Sequence, residues 1–221
     1  MAMDKLYEFL TGPALWIAVI IFVGGLAVRL AWLFGLSQER DKPWHDFKDA
    51  AWAWRSIIHW VLPWASVSSR NQPAFTGAVW VFHICWIGVP LFLGAHNMLF
   101  QEAWGWSLPS LSAAVTDWAS LVVIACGIFF LLRRLARPEV RILTSAWDYT
   151  VVLLALAPFV TGWLAYNQLG PYGLMLNLHI FLSEVLLVVL PFSKLAHMVL
   201  FFASRSAIGY EFGTRRGARV W

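Results

Sequence analysis

The sequence predicts an all-α membrane protein with five transmembrane helices, N-terminus outside and C-terminus cytoplasmic. A cytoplasmic amphipathic helix is expected between spans 1 and 2. Three observations predict this: a 221-residue composition that is 60% hydrophobic and only 13% charged, five apolar runs of membrane length, and positive charge confined to alternate loops. A soluble chain of this size could not hide so much apolar surface. No internal repeat and no polar domain outside the membrane is visible, so residues 1–221 read as one integral domain.

The spans are placed near 13–36, 75–99, 118–135, 147–169 and 174–202, each close to the ~20 residues a bilayer requires. The first has too long an apolar core, and too acidic a flank, for a cleaved signal. The 37–74 loop carries Arg40, Lys42, Lys48, Arg55 and Arg70; the 133–146 loop carries Arg133, Arg134, Arg137 and Arg141; the tail carries Arg205, Arg215, Arg216 and Arg219. The 100–117 and 168–173 loops have no Lys or Arg. Cationic loops stay in the cytoplasm, which sets the orientation. The net charge of +4 then reports orientation and attraction to anionic lipid, not nucleic-acid binding.

Within the first loop, residues 46–64 alternate polar positions with Trp52, Trp54, Ile57, Ile58, Trp60, Val61 and Leu62. That pattern predicts an interfacial helix with tryptophans at headgroup level, an anchor and a platform for a cytoplasmic partner. Trp104 and Trp106 read as an aromatic belt on the other side.

Histidines carry the chemistry. His179 and His197 lie eighteen residues apart in the last span, which in one unbroken helix returns to the same face after five turns. His83 and His96 lie thirteen apart in the second span, ~140° out of register in an ideal helix, with Pro90 between them to re-aim one end. Antiparallel threading matches His83 with His197 towards the cytoplasm and His96 with His179 towards the outside. Imidazoles are expensive in lipid and are the usual axial ligands of haem iron, so the four predict two bis-histidine haem b sites.

His45 and His59 fall in the cytoplasmic loop and read as interfacial. Arg29, Arg205 and Arg70 are candidates for pairing with an inner haem propionate. Cys85 and Cys126 both sit in apolar runs and no Cys-x-x-Cys-His occurs, which argues against a disulfide framework, iron–sulfur ligation by this chain and c-type haem. Asn97, Gln101, Glu102, Asp117, Tyr166 and Asn167 are the polar groups near the outer haem suited to a quinone site. Glu184, inside the membrane, is a candidate proton relay. A haem-free membrane anchor would share the spans but leave the four histidines unexplained. A transporter would show repeats or paired broken helices.

The five-span layout, the His83/His96 pair and the His179–His197 spacing resemble the gamma subunit of respiratory nitrate reductase along the whole chain. The stretches Phe82-His83-Ile84-Cys85, Phe129-Phe130-Leu131-Leu132-Arg133-Arg134 and Tyr210-Glu211-Phe212-Gly213, with the inserted 37–74 loop, are more similar to two relatives. These are the cytochrome b subunits of the sulfite-reduction-associated membrane complex and of the transmembrane electron-transfer complex of sulfate reducers. The resemblance implies a dihaem subunit in a bacterial or archaeal cytoplasmic membrane. It would pass electrons between a menaquinone-type pool and a cytoplasmic iron–sulfur subunit resembling that of heterodisulfide reductase, with a multihaem cytochrome c outside in some complexes. An outer quinone site is what the family suggests, and of the polar groups above Asn97, Gln101, Glu102 and Tyr166 are the candidates for it.

Overall fold

The computed structural model describes residues 2–40 and 45–219. Lys42 of the cationic loop and Trp221 of the tail lie outside the described residues. Among the described residues every regular element is helical. Five helices are long and apolar enough to cross a membrane: Met3–Arg40, Pro73–Phe92, Ala113–Ala136, Ala146–Tyr166 and Tyr172–Phe192. Their outward positions are apolar, with Ile20, Val28, Ile84 and Trp118 more than 60% exposed, which suits contact with lipid rather than water.

The chain divides into two units, 1–14 with 77–186 and 15–76 with 187–221. The first unit begins with α1 (Ala2–Phe9) and a π-helical turn, Leu10–Ala14. Pro13 inside that turn lacks an N–H to donate. The second membrane helix, α4 (Pro73–Phe92), stops two residues after Pro90. Leu93 is extended (φ −70°, ψ 128°) and α5 (Gly94–Trp104) starts afresh, ending on left-handed Gly105. The expected single helix over 75–99 is thus two helices, because Leu93 takes the extended conformation. The break is held by Leu111, whose N–H donates to the Phe92 carbonyl at 2.9 Å.

The third helix, α6 (Ala113–Ala136), starts on Ser112, whose Oγ accepts from Val115 N. The fourth, α7 (Ala146–Tyr166), starts where Asp148 Oδ2 accepts from Ser145 N–H at 2.9 Å. Val89, Val123, Leu156 and Phe159 form the core of this unit, flanked by Trp86, whose Nε1 donates to the Ala155 carbonyl at 3.0 Å. The fifth, α8 (Tyr172–Val189), runs into the second unit.

The second unit contains α2 (Leu15–Arg40), α3 (Ala50–Val61) and α9 (His197–Ile208). The expectation of one helix over 174–202 fails here. After α8 the chain makes two 3₁₀ turns, Leu190–Phe192 and Lys194–Ala196, around an extended Ser193 (φ −115°, ψ −176°). Pro191 cannot donate into a continuing helix, and Arg29 of α2 caps the break by donating to the Pro191 carbonyl at 2.5 Å and the Ser193 carbonyl at 3.3 Å. Leu26, Leu190 and Ala196 form the local core. On α3, Asp49 Oδ1 accepts from Ala51 and Trp52 N–H, setting the start of the helix. Its buried face, Ala53, Ser56 and Ile57, lies in the part of the unit where α9 and the π-helical turn Gly209–Thr214 pack on α3. Trp54, Ile58 and Leu62, one turn apart in succession, stay more than half exposed.

Candidate functional site

The two histidines expected on the outer side belong to one unit and come together. His96 lies in the first turn of α5, just past the Leu93 break, and its Nδ1 donates to the Pro90 carbonyl at 3.0 Å. His179 lies on α8, and its Nδ1 donates across to the Pro158 carbonyl of α7 at 2.8 Å. A carbonyl oxygen only accepts, so each ring carries its proton on Nδ1 and, when neutral, its lone pair on Nε2. The ring centroids are 6.0 Å apart and the planes incline by 21°.

That separation has chemical meaning. Imidazole nitrogens bind metals at ~2 Å, and with ~1 Å from nitrogen to ring centre, two rings on opposite sides of one metal have centroids ~6 Å apart. Among the described residues no group of three or more His, Cys, Asp or Glu converges as a chelating set. Two imidazoles are half of a tetrahedral site, but they are the whole protein share of a haem site, since the macrocycle brings its own four nitrogens. In number and centroid separation the two rings fit the protein share of a bis-histidine haem.

The ring of His179 lies on the backbone of α7 at Gly162. A Cβ there would sit 2.7 Å from His179 Nδ1 and 2.9 Å from its Cε1. Neither Pro158 nor Gly162 carries a signal in the sequence, because a backbone carbonyl and a missing side chain have no pattern to read.

His83 and His197 belong to different units. His83 is half-buried on α4, its Nδ1 donating to the Val79 carbonyl at 2.7 Å, with Phe82 edge-on at 5.5 Å. His197 is exposed and opens α9, its Nδ1 donating to the Lys194 carbonyl at 2.9 Å. All four rings thus share one pattern, Nδ1 on a main-chain carbonyl. His45 differs, meeting Ser37 Oγ through Nε2 at 3.2 Å. The eighteen-residue spacing reading does not apply, since the helix breaks between His179 and His197.

The other candidates are spread widely. Arg29 is engaged by the carbonyls at the Pro191 break, and the Arg205 guanidinium lies over the Trp60 ring at 4.0 Å. Burial of Arg205 among these rings pushes its pKa down from the ordinary arginine value. Asn97 is 2% exposed and already used: Nδ2 donates to Ser110 Oγ at 3.1 Å and Oδ1 accepts from Leu108 N–H at 3.1 Å. It fastens the 105–112 loop. Gln101, Glu102 and Tyr166 are exposed, and Asn167 donates to Asp117 at 3.2 Å. Trp163 Nε1, Asn177 Oδ1 and Glu184 Oε1 are buried with no hydrogen-bond partner among the described residues. Trp104 and Trp106 stack with Phe100, centroids 5.4 to 6.3 Å apart.

A protein of Nitratidesulfovibrio vulgaris (strain Hildenborough) is 42% identical to this chain over 217 residues, covering 96% of each. No family model matches the chain, and no solved structure matches it.

Proposed function

The chain belongs to the same family as that Nitratidesulfovibrio vulgaris protein, and we propose, from its own histidines, that it is a dihaem cytochrome b. In this reading it is the electron-transfer subunit of a quinone-linked oxidoreductase complex in a bacterial or archaeal cytoplasmic membrane. One observation carries the reading: His96 of α5 and His179 of α8 present parallel-leaning rings 6.0 Å apart, each with Nδ1 tied to a carbonyl. Main-chain acceptors fix the tautomer and raise the basicity of Nε2, the usual outer-shell arrangement of ligating histidines.

Haem, when bound, supplies one-electron chemistry; the protein supplies position, ligation and dielectric. His96 and His179 would hold the outer haem. The inner haem, at His83 and His197, is proposed from their depth order in the sequence. Arg205 is a candidate for an inner propionate; Arg29, committed to main-chain carbonyls, is a weaker one. Electrons would pass between a menaquinone-type pool and a cytoplasmic iron–sulfur subunit resembling heterodisulfide reductase, with a multihaem cytochrome c as a further partner outside. Gln101, Glu102 and Tyr166 remain the exposed groups for an outer quinone site. The likeness to the nitrate reductase gamma subunit and to the sulfate-reducer cytochromes belongs to this proposal. So do the N-outside orientation and an interfacial role for α3, whose Trp54–Ile58–Leu62 stripe suits the headgroup boundary.

Dithionite-minus-oxidised spectra of the purified protein test the reading. Expected are b-type bands and two haems per chain by pyridine haemochrome. His96→Ala and His179→Ala should each leave one haem, the same one. Purified protein with no haem, from membranes in which other b-type cytochromes are loaded, would refute the reading in favour of a haem-free anchor.

A further inference from the structure

The Gly162 contact points beyond ligation to what places the ligand. Pro158 and Gly162 are one turn apart on α7, and the Nδ1–Cε1 edge of His179 rests between the Pro158 carbonyl and the Gly162 Cα. Nδ1 is 2.8 Å from that oxygen and would be 2.7 Å from any Cβ at 162. Nothing flexible stands on either side of this contact. One partner is helix backbone, the other a rigid ring already committed to a hydrogen bond. A methyl group at 162 forces the ring off the carbonyl and rotates Nε2 away from its direction. Serine or any larger side chain does the same. By contrast, a Cβ at Gly88, on α4, meets nothing within 4 Å.

We propose that Gly162 is the positioning residue of the His179 imidazole, with the Pro158 carbonyl as the acceptor it leaves uncovered. The proposal rests on the haem reading above and deepens it. Gly162 touches no cofactor; it acts through the ring. Outer-shell changes of this kind weaken a metal site by ~10–100-fold, and that is the loss expected in affinity for the haem at His96 and His179.

The experiment compares wild type, Gly162→Ala and Gly88→Ala by haem stoichiometry and potentiometric titration of the purified chain. Gly88→Ala fills open space and should keep two haems and two redox waves. Gly162→Ala should keep one haem and one wave, the survivor being the haem that persists in His179→Ala. Two haems with unshifted potentials in Gly162→Ala would overturn the proposal, whereas wild type without haem would overturn the haem reading instead. Because Gly162→Ala can also lower accumulation, a double-mutant cycle with His179→Ala, run on protein prepared without haem, gives a haem-independent measure. Removing the ring opens the space the methyl needs, so the alanine at 162 should cost accumulation and thermal stability only when His179 is present. An equal cost in both backgrounds would mean that the ring is not what Gly162 accommodates.

Discussion

At the scale of the residue, the four histidines were legible as types and positions, but their settings were not. Histidine is rare enough in apolar runs to be noticed, yet the carbonyl that fixes each ring is anonymous main chain. Arg29 shows the same limit. Its place near the end of a span suggested a propionate, whereas it donates to the carbonyls of Pro191 and Ser193, acceptors that exist only because α8 breaks. Hydrogen bonds from a charged donor contribute ~1.5–3 kcal/mol. Arg29→Met should therefore lower the stability of the detergent-solubilised protein by about 2 kcal/mol, read as a lower thermal midpoint, while Arg29→Lys recovers part of it. Haem stoichiometry and potentials should stay at wild-type values. A shifted potential with an unchanged midpoint would return Arg29 to the propionate role.

At the scale of the element, apolar length located all five membrane helices but not their interruptions. Pro90 and Pro191 were visible, and each marks a break; the extended residues that complete the breaks, Leu93 and Ser193, have no special signature. Alternating hydrophobicity located α3, while its partner was hidden. Trp52 lies where a side chain at Gly209 or Gly213 would be, against the π-helical turn. A methyl at Gly213 would occupy the space of the indole, so Gly213→Ala should detach that turn and speed tryptic cleavage at Arg215 and Arg216 by ~10-fold or more. The turn also carries its own clamp: Glu211 accepts from Arg215 at 3.0 Å and Arg216 at 2.6 Å. The bond from Arg215 above all, then that from Arg216, holds the Glu211 carboxyl below the usual glutamate range. A lowered carboxyl contributes order above its unfolded value and loses it as pH falls through the lowered one. Amide protection over 211–217, corrected for intrinsic exchange, should thus be flat from pH 7 to ~5 and fall only below the ordinary glutamate value of ~4.3. In Glu211→Gln it should be low throughout.

At the scale of the whole molecule, the distribution of charge is the argument that local packing cannot replace. In the proposed topology the five membrane-length helices among the described residues leave the two ends of the chain on opposite sides of a bilayer, and the segments between them sort cleanly into cation-rich and cation-free sets. Cation-rich loops are retained on the cytoplasmic side, so the proposed orientation has the cation-free loops, 100–117 and 168–173, translocated. Sequence alone suggests Ser110 as a reporter of that side, but its hydroxyl accepts from the buried Asn97 at 3.1 Å, and a thiol there would disturb the loop. Ser107 is exposed on the same loop and is the better site. Ser204 is exposed on α9, in the cation-rich part of the chain. Cys85 and Cys126 lie within α4 and α6, where a charged reagent does not reach, so they need not be removed. Ser107→Cys should react with an impermeant maleimide in intact cells, and Ser204→Cys only after lysis. The opposite pattern would invert the molecule and place the His96–His179 site on the cytoplasmic side.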